Sequence, residues 1–289
     1  MLSIVSKKII KPFTPTPSTQ RWHKLSILDQ CLTHFYMPFV FFYPKNQLLI
    51  TPHSNVKELT FPHGVPWGNG VDRALIVAQL SHFDCGGVAL SVCLSHKIGD
   101  GSSANCFLRD WAALTRTSNT NPSPYFIEDQ TWTNVSKRGL FSLAQNLAVN
   151  ALVYKCAASS ATIVNSGSFK QSQLVQFFDL REIISPPLPP NSIGNLLTIF
   201  SSPIYEKEKA KNILSTRNIV EENEYVMEML NAYRTGEEPF HKRKCDLYFS
   251  SSLCKFPFLQ NLDFGFGKPI RASFAKGPRN TFIILMRTY

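Results

Sequence analysis

The sequence predicts an α/β chain, folded as two domains or as one large one, and three observations carry that reading. Residues Val88 to Ser95 alternate, with Val88, Leu90, Val92 and Leu94 on one face and Ala89, Ser91, Cys93 and Ser95 on the other. That period of two belongs to a strand with one face buried. Directly after it, Ala104, Phe107, Leu108, Trp111 and Leu114 recur at helical spacing, with Arg109, Asp110 and Arg116 turned the other way. Finally, the chain has 289 residues, 44% of them hydrophobic. This is too apolar for disorder and long enough for a substantial core, at roughly 100–200 residues per domain.

The other elements follow in chain order. Residues 1–24 mix basic residues with Pro12, Pro15 and Pro17, which predicts a short strand and then an extended lead-in. The aromatic run Tyr36 to Tyr43 reads as a buried strand, and the next 30 residues, with Pro52, Pro62 and Pro66, read as loop. Between the strand at 88–95 and the helix stands His96-Lys97-Ile98-Gly99-Asp100-Gly101, whose glycines break any regular element; Ser102 or Ser103 is expected to cap the helix. The polar stretch 117–135 reads as a linker. A Leu- and Ala-rich helix is expected over 140–158 and a strand from Gln173 to Leu180. Pro186-Pro187-Leu188-Pro189-Pro190 must be extended loop. The charge-rich residues 205–238 read as solvated helices, and strands are expected at Leu247 to Ser250 and at Thr281 to Met286.

Charge and cysteine usage narrow the function classes. The formal charge is +10, from 30 Lys and Arg against 20 Asp and Glu. The basic residues are scattered and no nucleic-acid recognition motif accompanies them, so an anionic small molecule is the better expectation. No stretch approaches the ~20 apolar residues of a membrane span. Seven cysteines without a CxxC pair argue against a disulfide framework or a metal site. With no secretory signal evident at the N-terminus, a cytoplasmic location is expected.

Two constellations could carry chemistry. His96, at a strand end beside a flexible turn, suits a group that faces a cleft and takes a proton near neutral pH. The alternative reading of the same residues is a His that closes a turn and an Asp100 that caps the following helix. Asp263-Phe264-Gly265-Phe266-Gly267-Lys268-Pro269 reads as a tight structural turn built on Asp263, Gly265 and Gly267. It is not a nucleotide loop, because a proline follows where a helix should open.

Taken together, His96-x-x-x-Asp100-Gly101 and Asp263-Phe264-Gly265-Phe266-Gly267 resemble the BAHD family of plant acyl-CoA-dependent acyltransferases. Further segments agree: Leu25-Ser26-Ile27-Leu28-Asp29-Gln30, Phe83-Asp84-Cys85-Gly86-Gly87, Leu188 to Asn195, and Cys254-Lys255-Phe256-Pro257-Phe258. Within the family, the chain resembles the vinorine-synthase-like branch, which acylates alkaloid and other specialised alcohols. The resemblance implies a two-domain α/β fold like that of chloramphenicol acetyltransferase, with mixed sheets and a channel between the domains. Residues 1–135 would form the first domain and 136–289 the second, each incomplete.

It further implies that His96 is the general base of an O-acyl transfer, with acyl-CoA, acetyl-CoA in the simplest case, as co-substrate. No permanent cofactor and no metal are implied, and the protein would act as a monomer. Asp100 would orient the loop by pairing with Arg181. Ser251, Ser252, Asn191, Lys255 and Arg271 would contribute to substrate binding, and Asn195 would help shape the loop beside the channel. Family members are about half as long again; segments normally found between Tyr43 and Leu49 and between residues 135 and 145 are expected to be missing, as is the closing strand. Two alternatives therefore stay open: a catalytically inactive remnant that at most binds CoA, and a thiol enzyme built on Cys85 with His82.

Overall fold

The computed structural model describes residues 6, 8–11, 13–20, 22–26, 29–30, 36–45, 74–117, 121–127, 149–150, 152–161, 171–181, 184, 186–201, 235, 245–274 and 282–286. Apart from residue 235, the helices expected over 205–238 lie outside these residues, as do most of the 30-residue loop and the first strand.

The first sheet grows around β1 (Tyr36–Tyr43), all eight residues of which are buried. Its continuous apolar run has a simple cause. Met37, Phe39, Phe41 and Tyr43 enter one core while Tyr36, Val40 and Phe42 enter a second on the opposite face. β1 is flanked by β3 (Val88–Ser95) in antiparallel register, Tyr36 opposite Ser95 and Tyr43 opposite Val88. Beyond β3 lies β2 (Ile76–His82), a strand that the sequence pattern did not reveal. On the other side, β9 (Arg271–Phe274) pairs with β1, so this sheet draws a strand from near the chain's end.

Helix α1 (Gly101–Arg116) covers the larger core with Ala104 and Leu108. Its buried stripe is Ser103, Ala104, Cys106, Leu108 and Ala112, whereas Leu114, expected inside, is exposed. The rotation has a local cause. The N-cap is Asp100 rather than Ser102 or Ser103, and its carboxylate accepts from Ser103 N, which turns Ser103 inward. Phe107 and Trp111 are half-buried; Trp111 meets Phe264 edge-on with ring centroids 5.0 Å apart.

The second sheet is mixed. β10 (Phe282–Leu285), β8 (Asp246–Ser252) and β5 (Ser172–Asp179) run parallel, and β7 (Leu197–Ser201) is antiparallel to β5. Leu174 and Tyr248 of this sheet pack against Tyr154 from a helix over residues 152–161, and the Tyr154 hydroxyl lies 2.7 Å from Ser172 Oγ. A two-stranded parallel pair, β4 (Tyr125–Phe126) with β6 (Ser192–Ile193), ties the segment around residue 125 to the loop after the proline run. No helix among the described residues is long and apolar enough to cross a membrane.

Candidate active site

Three chain segments meet at the turn after β3. β3 ends at Ser95, so His96 stands at the Tyr36 end of the first sheet. From the second sheet, β5 ends at Asp179 and delivers Arg181, and β8 ends at Ser252 and delivers Leu253. The carboxyl ends of adjacent parallel strands are where α/β sheets commonly place ligands. The contacts are close. A Cβ on Gly101 would sit 2.6 Å from Leu253 Cδ2, and one on Gly99 would sit 2.5 Å from Ser103 Cβ. Gly99→Ala is therefore expected to destabilise the fold by about 1–3 kcal/mol, because Ser103 is anchored on both sides and has nowhere to move. Urea denaturation measures this; an unchanged midpoint would show that the loop tolerates the methyl.

The loop is held by a buried arginine paired with two carboxylates. Arg181 Nη1 lies 2.7 Å from Asp100 Oδ2 and 3.1 Å from Asp179 Oδ1. Arg181 Nη2 donates to Gly194 O at 2.9 Å, so one guanidinium joins β5, the His96–Asp100 turn and the loop after β6. Asp100 is filled: Oδ1 accepts from Ser103 N and Oγ, Oδ2 from Arg181 and Leu196 N. Burial pushes the Asp100 pKa up, but the Arg181 charge and these donors outweigh it and hold the carboxyl below its ordinary value. Asp100 thus caps α1 and pairs with Arg181 at once, and it has no acceptor capacity left for the imidazole. Gly194 completes the clasp. Its N donates to Ser103 Oγ and its O lies 2.9 Å from that hydroxyl, whose single proton Gly194 O shares with Asp100 Oδ1, at a φ of +144° that side chains rarely adopt.

His96 takes its orientation from Asn195. The Asn195 Nδ2 donates to His96 O at 2.8 Å and to Asp29 Oδ1 at 2.7 Å, which fixes the amide so that Oδ1 faces His96 Nδ1 at 3.0 Å. An amide oxygen can only accept, so Nδ1 carries the proton and Nε2 keeps the lone pair. Burial lowers the His96 pKa, and the nearby Asp100 carboxylate opposes this only in part. The result is a neutral ring at neutral pH, in the tautomer that can take a proton on Nε2.

The remaining predicted residues fall in different places. Ser251 and Ser252 are half-buried at the carboxyl end of β8, on the same edge as Leu253. Lys255 Nζ lies 2.7 Å from Asp179 Oδ2, and the ammonium also stands 5.4 Å from the Phe256 ring centre. Asn191 donates its amide to Ser123 O, pinning the loop before β4 rather than meeting the imidazole. Arg271 opens β9 opposite Phe42. In the glycine turn, Asp263 Oδ1 accepts from Gly265 N and Gly267 N, and both glycines have positive φ. That turn adjoins the Tyr43 end of β1, where the Tyr43 hydroxyl donates to Leu262 O. An eight-residue strand therefore separates it from His96, about 24 Å at ~3.4 Å per residue. Cys85 is exposed in the hairpin at that same far end, so it does not join His96 in one site.

Comparison with known proteins decides the family. A family model described as "Transferase family" matches residues 65–145 and 142–287. Acyltransferase Pun1 of Capsicum frutescens is 31% identical, over 98% of this chain and 90% of that protein. The chain belongs to the BAHD acyltransferase family. Stemmadenine O-acetyltransferase of Catharanthus roseus is 26% identical over 99% of this BAHD chain and 91% of its own length. The crystal structure of vinorine synthase shares the fold, with a TM-score of 0.68, 20% identity, and coverage of 98% of this chain and 90% of that one. The Pun1 alignment extends over 404 positions against 289 residues here, so this BAHD chain lacks more than a hundred residues internal to the match.

Two residues of this candidate site went unnoticed in the sequence. Asp29 is 1% exposed and accepts four hydrogen bonds, from Ser26 N and Oγ and from Asn195 N and Nδ2. Lys97 is buried too, and its ammonium donates to Asp29 O and Gln30 O. The signal for Asp29 was present in Ser26-Ile27-Leu28-Asp29, a capping-box spacing in which Asp29 N donates back to Ser26 Oγ.

Proposed function

We propose that the chain transfers an acyl group, acetyl in the simplest case, from acyl-CoA to a hydroxyl of a plant specialised metabolite such as an alkaloid. The observation that carries this reading is the His96–Asn195 hydrogen bond, which leaves a lone pair on Nε2 at the edge where β3, β5 and β8 end. His96 Nε2 takes the proton of the acceptor hydroxyl as its oxygen attacks the thioester carbon. The tetrahedral oxyanion is stabilised by hydrogen-bond donors, with Ser251 and Ser252 as candidates at the end of β8. It collapses by breaking the C–S bond; the ester leaves, and the imidazolium returns its proton to the CoA thiolate.

In the same proposal residues 1–135 and 136–289 form the two halves of the enzyme, with the substrates held between them. Asp100 and Arg181 keep the loop in place without touching substrate. Arg271, and Lys255 to the extent that Asp179 leaves its charge available, draw in the CoA phosphates, while Asn191 shapes the rim. The turn at Asp263, Gly265 and Gly267 is structural. The protein works as a monomer in the cytoplasm, a setting that suits the six free cysteines among the described residues.

A second reading, a remnant that binds CoA without turnover, is favoured by the residues missing relative to Pun1. One experiment separates the two: thermal unfolding with and without CoA, run beside a mass-spectrometric assay for ester formed from acetyl-CoA and a panel of alkaloid alcohols. CoA at about 100 times its Kd should stabilise the fold by about 2.7 kcal/mol. Stabilisation with ester supports the enzyme, stabilisation without ester across the panel supports the remnant, and neither effect sinks both.

A further inference from the structure

We infer that Asp29 is a positioning residue for the reaction: through Asn195 it sets which nitrogen of His96 bears the proton. The inference rests on His96 being the general base. Its physical content is the one-sidedness of a carboxylate, which in its ionised form only accepts hydrogen bonds. Asp29 Oδ1 takes both the backbone N and the side-chain Nδ2 of Asn195, at 2.9 and 2.7 Å. An amide flipped by half a turn would aim its oxygen at that carboxylate oxygen, two acceptors face to face. The flip would also present an N–H to His96 Nδ1 and move the imidazole proton to Nε2, where it blocks the attack. Asp29 thus forbids the unproductive arrangement without touching the imidazole's Nδ1 itself.

The carboxylate is fixed in turn from its other side. Ser26 N and Oγ hold Oδ2 at 2.9 and 2.7 Å, closing a capping box at the start of a helical turn. At the end of that turn, the Lys97 ammonium binds the carbonyls of Asp29 and Gln30 at 3.2 and 3.1 Å. A buried cation on the residue next to His96 therefore ties the segment that carries Asp29 directly to the loop it serves.

The test uses Asp29→Ala, with His96→Ala as the reference. Imidazole ¹⁵N shifts report the tautomer, and a His96→Gln spectrum identifies the signal among the seven histidines. In the unaltered protein His96 should carry its proton on Nδ1. In Asp29→Ala the ring should become a mixture, and kcat should fall at least about tenfold with KM for acyl-CoA little changed, as when a histidine loses the partner that fixes its tautomer. The acid limb of kcat/KM should also move to lower pH, because a negative charge that favours the imidazolium is gone.

Several outcomes overturn the inference: an Nε2–H ring in the unaltered protein, an unchanged tautomer in Asp29→Ala, or an acid limb that moves up toward the free-imidazole value, the sign of mere loosening. Should Asp29→Ala fail to fold, Asp29→Leu fills the volume and offers Asn195 no acceptor in either orientation, and the same readouts decide in the same way. Base and positioning roles fail differently. An active His96→Ala rejects the base; an inactive His96→Ala beside an Asp29 variant with unchanged tautomer and kcat rejects only the positioning.

Discussion

His96→Ala should lower kcat/KM for acyl transfer by about 10²–10⁴-fold, the usual worth of a positioned general base. Stability should change little, since the residue is only half-buried and water can take the ring's place against Asn195. The pH profile sharpens the expectation. Burial lowers the pKa of His96, so the neutral ring should persist below pH ~6.5 and kcat/KM should stay flat through neutrality before falling on the acid side. The linkage has a definite sign. In the window below the unfolded value of ~6.5 the unfolded chain binds the proton that the folded ring resists. Stability from this group is complete above that window and declines as the pH falls through it. A variant rate equal to that of the unaltered protein, or an acid limb well above 6.5, would remove His96 from the chemistry.

Why that residue could be singled out from sequence, and its supports could not, is a matter of range. His96, Gly99, Asp100 and Gly101 lie within six consecutive positions, bounded by a strand of period two. β1 was legible because an apolar run of eight residues is the right length for a strand and needs burial on both faces. β2 was not: it is an edge strand that exposes Ala78 and Leu80 and turns the polar Gln79 and Ser81 inward, the reverse of the usual pattern. β9 has four residues and exists by pairing with β1, more than 200 positions earlier. Asn195 and Asp29 each look like turn residues that bond their own backbone. Only the fold brings 29, 96 and 195 together. The same strand separates the two catalytic alternatives, because Cys85 and His82 lie at the hairpin end of β3 and His96 at its other end.

The largest effect on stability should come from Arg181→Ala. Removing one partner of a buried ion pair leaves the other charge uncompensated, at a cost of about 3–5 kcal/mol. Here the side chains of Arg181 and Asp100 are 13% and 9% exposed, and the loss also takes one partner each from Asp179 and the carbonyl of Gly194. A Tm drop of roughly 5–15 °C is expected, with acyl transfer falling in step with the folded fraction. Arg181→Met with Asp100→Asn should cost less than the two single changes together, since no charge is left stranded. Acid should mimic the damage: Asp100 has a lowered pKa in the fold, so its contribution is intact above ~4 and is lost as the pH falls through the folded value. If Arg181→Ala melts within a degree of the unaltered protein, the pair is not what clasps the two sheets at the His96 turn, and the backbone bonds of Gly194 and Leu196 must do so instead.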